Sequence, residues 1–317
     1  RFMDWQRVNG DNPVNWETRR TPDNAFQGGD GGVALDYMVK LAVDADIEPW
    51  FTMPFQADDN YIRAYARFVH EHLPADRTIY IELGNEIWNT AFPAARRSQA
   101  EGLAKGLSSD PTEARMRNYA ARAAEMFAIW SEVFADRPGK LVRVVSTQSV
   151  QPRTAEMVLS FPALAGKVDA LATAPYFYLE NEGAAPRRPD GTLDLDRLFP
   201  ILEQRVDTAI DLAVQNKAVA ARHGVRYIAY EGGQHLVFRG DAPAREAVQR
   251  DPRMGALYTR YLDGWQRRVG DLLVLFNSTS GIGDSGSWGL REYSDQPLSE
   301  APKAQAVDTF LKQLSAH

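Results

Sequence analysis

Short apolar runs rich in β-branched and aromatic residues alternate along this chain with longer stretches whose apolar positions recur every three or four residues. The first pattern predicts strands and the second amphipathic helices. Strands are predicted over residues 1–5, 47–53, 78–83, 141–147, 168–174, 225–231 and 272–277. Helices are predicted over 33–46, 58–73, 111–135, 154–161, 197–223 and 252–269, with a last one near 301–314. The strands are almost continuously apolar, as parallel strands covered on both faces must be. Connections of helix length exclude hairpins and dictate a parallel sheet.

The alternation continues without a linker or a break in composition, which predicts one α/β domain over 1–317 of the (β/α)8 TIM-barrel type. Seven strands are counted where such a barrel has eight. The expectation is therefore that the first barrel strand precedes Arg1 in the native gene. The irregular Gly-, Asn- and Asp-rich stretch 11–32 is the less favoured place for it. An open doubly wound sheet is the alternative architecture. No glycine-rich strand-to-helix turn stands where that fold would bind phosphate. Gly281, Gly283 and Gly286 have the spacing of a dinucleotide fingerprint, but they follow the last strand, so they read as a loop.

Composition narrows the chemistry. The chain has 317 residues, 44% hydrophobic and 25% charged, with a formal net charge of −6. No basic stretch stands out, which argues against nucleic acid or an anionic membrane as partner. Neutral or weakly cationic ligands are accommodated more easily. The absence of cysteine excludes disulfides, thiolate zinc sites and cysteine nucleophiles. No run of 18 apolar residues offers a membrane span. Among five histidines, His70 and His72 have metal-ligand spacing, but they fall at the end of a predicted helix, where the helix dipole alone favours them. No metal and no cofactor are expected. The chain begins with Arg1 and shows no signal segment; a monomer, secreted or periplasmic, is expected.

In a barrel of this kind the active site forms at the C-terminal ends of the strands. Glu86 lies just beyond one predicted strand, in the segment Gly84–Asn85–Glu86–Ile87–Trp88–Asn89. Glu231 ends another and precedes Gly232 and Gly233. Two carboxyls at strand ends are the minimum equipment for cleaving a glycosidic bond. One protonates the departing oxygen, and the other attacks or stabilises the oxocarbenium-like carbon. The acid needs a raised pKa, which a second negative charge and partial desolvation would supply. Either residue could instead cap a loop or pair with an arginine.

Gly84–Asn85–Glu86 followed by Trp88–Asn89 resembles the Asn-Glu signature that closes the fourth strand in clan A glycoside hydrolases. Glu231, at the end of what would be strand seven, is similar to that clan's nucleophile. The resemblance runs from strand two to strand eight, and retaining cellulases and related endo-β-glycanases are the nearest comparison. It implies Glu86 as general acid/base, Glu231 as nucleophile and Asn85 as the amide that bonds a sugar 2-hydroxyl. It also implies Arg1 as a guanidinium near the nucleophile, and Tyr176 or Tyr178, the first preferred, as a hydrogen-bond donor to it. Where relatives often carry a histidine after strand three, this chain has Gln56; His235 is a substitute candidate for sugar contact. The best match to the clan's platform tryptophan is Trp288.

Sugar clefts are lined with aromatic rings, because the C–H face of a pyranose stacks on a flat ring. Trp5, Trp16, Trp88 and Trp288 lie at or just beyond strand ends, whereas Trp130 and Trp265 lie in helices. The expected substrate is a β-linked polysaccharide or oligosaccharide, cellulose-like β-glucan first, then mannan or xylan. The alternative is a non-catalytic carbohydrate-binding protein on the same barrel.

Overall fold

The computed structural model describes residues 1–10 and 14–315. Its helices are α1 (Leu35–Asp44), α2 (Asp59–His72), α3 (Pro93–Ala104), α4 (Pro111–Val133), α5 (Pro152–Leu159), α6 (Leu195–Arg222), α7 (Ala242–Arg250), α8 (Pro252–Arg268) and α9 (Pro302–Ser315). Its strands are β1 (Trp50–Met53), β2 (Ile79–Leu83), β3 (Leu141–Ser146), β4 (Ala170–Thr173), β5 (Phe177–Tyr178), β6 (Arg226–Ala229) and β7 (Gln234–His235). The chain divides into two compact units, Arg1–Ala172 with Ala218–Tyr227, and Thr173–Lys217 with Ile228–His317. The division passes through β4, α6 and β6 themselves.

One sheet holds β1, β2, β3, β4 and β6 in that order. In the first unit β1, β2, β3 and β4 pair in parallel, with Met53 opposite Leu83, Glu82 opposite Val144, and Val144 opposite Ala170. β6 enters beside β4 through the bond from Arg226 N to Asp169 O, 3.0 Å. Every residue of β1 and β2 is buried. Alternation puts Phe51 against Tyr65 of α2, with ring centroids 5.6 Å apart, so Trp50, Thr52, Tyr80 and Glu82 take the face turned away from that helix. In the second unit Tyr230 N continues the β6 ladder to Thr173 O, 3.0 Å, and β5 pairs in parallel with β7.

Helix starts follow their caps. Asp110 and Asp251 each precede a proline at the first helical position of α4 and α8, and each accepts a hydrogen bond from a backbone N–H of the first turn. Asp58 and Asp241 likewise accept from a backbone N–H in the first turn of α2 and of α7.

Three departures from the sequence pattern are instructive. Residues 1–5 do not form a strand: residues 3–5 lie in turns, Gln6 N bonds Phe2 O, and among their backbone groups Phe2 N bonds the sheet, at Trp50 O. Phe2 and Met3 are buried, so the apolar run belongs to the core, and periodicity over five residues cannot tell a buried turn from a strand. Residues 272–277 make strand-like bonds, Ala229 N to Leu272 O and Val274 N to Ala229 O, but only a single bridge at Leu273. Helix α3 escapes the pattern because its buried face is Ala94, Ala95, Ser98 and Gly102. Small residues carry little hydrophobic signal, yet they let α3 and α4 approach closely.

Gly102 fixes that approach. A Cβ added there would lie 2.2 Å from the Ala114 carbonyl oxygen of α4. Alanine favours an isolated helix over glycine by about 1 kcal/mol, but here the obstacle is backbone that cannot rotate away. Gly102→Ala is expected to lower stability by about 1–3 kcal/mol, as overpacking does. Denaturant unfolding checks this, and an unchanged or raised midpoint would show that the helices separate freely.

Candidate active site

In the first unit β2 ends at Leu83 and the chain turns sharply outward. Gly84 has φ 66°, and Glu86 itself has φ 47°, a left-handed conformation that costs a residue with a side chain about 1 kcal/mol or more. The turn is tied down by Gly84 N to Met53 O, 2.7 Å, and Asn89 N to Glu86 O, 2.7 Å. The Glu86 carboxylate is half-buried and accepts from Asn89 Nδ2 at 2.9 Å. Trp88 is half-buried in the same turn.

Asn85 is buried and fixed from both ends of its amide. Arg1 Nη2 donates to its Oδ1 at 2.8 Å, and its Nδ2 donates to Asn9 Oδ1 at 2.8 Å. Arg1 also donates through Nε to Glu82 Oε2 at 2.9 Å, an ion pair with both side chains out of solvent. Trp50 Nε1 donates to the same Glu82 oxygen at 3.0 Å. Thus Arg1, which by resemblance attends the nucleophile, has two partners beside the acid/base candidate. Glu82 and Asn9 were absent from the sequence-derived set. Glu82 was signalled by a lone charge inside Ile79–Tyr80–Ile81–Glu82–Leu83; Asn9 gave no signal.

Gln56 and Trp5 come together on the wall of a cavity of about 350 Å³ in this unit. Trp5 is 37% exposed. Trp16 is different, because the Arg19 guanidinium covers one ring face at 3.8 Å from the centroid. His70 and His72 bind Asp136 and the Phe68 carbonyl, each on its own. Among the described residues no group of three or more His, Asp or Glu is placed to hold a metal.

In the second unit Glu231 follows β6 and is 8% exposed. Tyr176 donates its hydroxyl to Glu231 Oε2 at 3.1 Å. Tyr178 instead stands opposite His235 in the β5–β7 pair. The chain turns after the carboxylate at Gly233, φ 127°, where a Cβ would meet the Tyr258 hydroxyl at 2.7 Å. The rings of Tyr176 and Trp288 flank His235 at 5.8 and 5.6 Å. Trp288 Nε1 donates to His235 Nδ1 at 3.1 Å. An indole can only donate, so Nδ1 is unprotonated and the neutral ring carries its proton on Nε2.

Behind these aromatics lies a buried polar network that sequence reading missed entirely. Gln234 Nε2 and Lys303 Nζ both donate to Ser287 O, at 2.6 and 2.8 Å. Lys303 also donates to Gln249 Oε1, whose Nε2 in turn reaches Gln234 Oε1. The network ties the residue before Trp288 to the residue before His235. Burial pushes the Lys303 amine down to about 7, against the raising effect of Glu292.

No family model matches the chain, and no curated protein matches it. Solved structures do. The chain is similar to the GH51 arabinofuranosidase from Xanthomonas axonopodis pv. citri, at 14% identity and TM-score 0.55, over 88% of this chain and 56% of that one. It is also similar to a β-glucosidase from Thermotoga maritima solved with deoxynojirimycin, at 12% identity and TM-score 0.50, over 87% of this chain and 76% of that one. The chain thus spans just over half the length of the arabinofuranosidase. Its fold is α/β, of the (β/α)8 barrel class found in glycoside hydrolases. Among the described residues the paired strands do not close a ring.

Burial pushes the His235 pKa below the usual imidazole value of 6.5, opposed by the charge of Glu182, although part of the residue reaches solvent. The unfolded ring takes up its proton first. Stability from this group is therefore intact above 6.5 and falls as pH drops through the folded value. Trp288→Phe removes the indole donor that holds Nδ1 unprotonated, so it is expected to raise the His235 pKa. Imidazole proton NMR of both proteins checks this, and coincident titration curves would count against the bond.

Proposed function

We propose that this chain is a retaining glycoside hydrolase acting on β-linked glycans. What supports this most is the matched construction of two strand ends. Each turns on glycine and each presents a glutamate that accepts from a neutral donor, Asn89 on Glu86 and Tyr176 on Glu231. A neutral donor orients a carboxylate while leaving its charge available for chemistry.

On this reading Glu231 is the nucleophile. Its burial strips it of hydration, and the Tyr176 hydroxyl aims the attacking oxygen. Glu86 protonates the leaving oxygen, then removes a proton from the water that releases the glycosyl-enzyme. Asn85, its amide held between Arg1 and Asn9, bonds the sugar 2-hydroxyl. Trp5, Trp88, Trp288, Gln56 and His235 contact the sugar rings, His235 as a donor through Nε2. The whole chain, 1–317, serves as one catalytic domain, secreted or periplasmic, that acts as a monomer. Cellulose-like β-glucan leads the substrate list, followed by mannan and xylan.

Reducing-end release from a panel of these polysaccharides tests activity, and proton NMR of fresh product tests stereochemistry. The expected product keeps its anomeric configuration; inversion would falsify the double displacement. Glu86→Gln that binds glycan in a protein whose wild type never turns over would point to a lectin-like role.

Tyr176→Phe should lower kcat/KM by about 10–100-fold, the value of one hydrogen bond to a charged group, about 1.5–3 kcal/mol. A loss below threefold would remove Tyr176 from the mechanism.

A further inference from the structure

The cavity of about 350 Å³ in the first unit has walls of unusual chemistry for a protein of net charge −6. Its size falls at the lower end of small-molecule sites, about 300–1,000 Å³. Three guanidinium groups line it, those of Arg7, Arg19 and Arg20. Arg7 has one carboxylate, Asp30, at 3.5 Å with both side chains well exposed. Arg19 and Arg20 have no carboxylate partner among the described residues. Arg19 Nη1 donates to the Trp16 carbonyl at 2.8 Å, and Arg20 Nη2 reaches the Gly28 carbonyl at 3.4 Å.

Donors are also left over. Arg19 Nε, Arg20 Nε and Gln6 Nε2 are buried and make no hydrogen bond among the described residues. The Gln6 amide has its orientation set, because Thr52 N donates to Gln6 Oε1 at 2.7 Å and so leaves Nε2 as the free end. Three unsatisfied groups, all donors, beside two guanidiniums bonded only to carbonyls define a site short of acceptor oxygen and negative charge. A buried donor without a partner costs about 1–3 kcal/mol, so a ligand that supplies acceptors recovers that cost on binding. The partly exposed indole of Trp5 on the same wall offers an apolar face.

We propose that this cavity binds an anionic sugar unit, a pyranose carrying a carboxylate or a sulfate ester, with Arg19 and Arg20 on the anion and Trp5 beneath the ring. The fork of a guanidinium matches either group through paired N–H bonds. A neutral sugar brings hydroxyls, which can accept hydrogen bonds but leave the positive charge uncompensated. The site adjoins the Glu86 turn within the first unit. Phe55 on its wall lies 3.8 Å from the Cβ position of Gly84, and Asn9, next to the lining residue Gly10, accepts from Asn85. The inference therefore rests on the glycosidase reading and narrows it: the β-linked substrate carries acidic units.

Calorimetry of the Glu86→Gln protein, which removes the proposed acid, separates binding from turnover. The probes are a β-linked oligoglucuronide, a sulfated oligosaccharide and a cello-oligosaccharide of equal length. At least one anionic probe is expected to bind about tenfold or more tightly than the neutral one, consistent with one charge-assisted hydrogen bond. That advantage should shrink with added salt, and Arg19→Gln with Arg20→Gln should abolish it. Which anionic probe binds tells carboxylate from sulfate. Equal affinity for all three overturns the proposal, as does an anionic preference that survives both the double substitution and 0.5 M salt. Should the double variant fail to fold, the salt series on Glu86→Gln alone decides. Turnover is scored separately on wild type. A protein that binds the acidic probe and cleaves no glycan sinks the hydrolase and keeps the site, whereas cleavage of neutral glucan without acidic binding does the reverse.

Discussion

A carboxylate with no access to solvent stands in the middle of an apolar strand, and donors from two other segments of the first unit converge on one of its oxygens, Oε2, while Oε1 is left without a hydrogen bond among the described residues. Glu82 is completely buried in β2. Removing an ion of this size from water costs several kcal/mol even after relaxation, so the charge persists only with an opposite charge and further donors in place. Arg1 and Trp50 supply them, both to Oε2. Because Trp50 is in β1, register-locked to β2, the indole is delivered by strand pairing itself. Arg1 must come from 81 positions away, and the two buried residues that follow it, Phe2 and Met3, anchor the segment that carries it. One guanidinium then does double service, since its Nη2 orients Asn85 beside Glu86. The geometry of the acid/base candidate is thus inherited from a pairing obligation one turn deeper in the strand.

In the second unit a tyrosine hydroxyl donates to the buried carboxylate. Glu231 is nearly as buried and accepts from Tyr176, and the loop after it is held by amides and an amine. Lys303 is instructive. Burial brings its amine down to about 7, and it donates to two carbonyl oxygens. The Trp288 loop and the β7 loop are fastened together by these groups.

Much of the scaffold was legible in sequence because long helices with wide apolar faces and continuously apolar strands leave strong periodic signals. The segments 47–53, 78–83 and 141–147 contain β1, β2 and β3, and α2, α4 and α8 end within two residues of expectation. What failed shares a physical cause: the information lay outside the local window. Helix α3 packs through Gly102 and alanines, and α7 has only nine residues. Residues 1–5 are apolar for the sake of a core contact that is not a strand. Asn85 and Tyr176 could be named only through the resemblance to clan A glycoside hydrolases, whereas Glu86 and Glu231 could be named because strand ends are visible as interruptions. Glu82 could have been suspected on the same ground. Asn9, Gln234, Gln249 and Lys303 could not, since a polar residue in a loop or helix looks the same whether it is solvated or locked into a network. The three arginines of the first-unit cavity were likewise hidden by an acidic total, which averages over a surface and says nothing of a 350 Å³ pocket.

The left-handed backbone at Glu86 shows how these layers depend on one another. Its φ of 47° is unfavourable for any residue with a Cβ and persists only where the surroundings over-determine it. The preceding Gly84 is itself left-handed, and a Cβ there would approach the Ile87 side chain to 2.7 Å, so glycine at 84 is required before Glu86 can adopt its own turn. Asn89 then closes the loop twice, through its backbone and its side chain. An unstrained route off β2 would let the chain run on in extended form and carry residue 86 away from the strand end. The left-handed residue instead folds the chain back so that its carboxylate stays within reach of Asn89 and beside the amide that Arg1 holds. The cost of about 1–3 kcal/mol is small against the several kcal/mol at stake in the Arg1–Glu82 pair, so the deeper charge pairing can hold the turn in place.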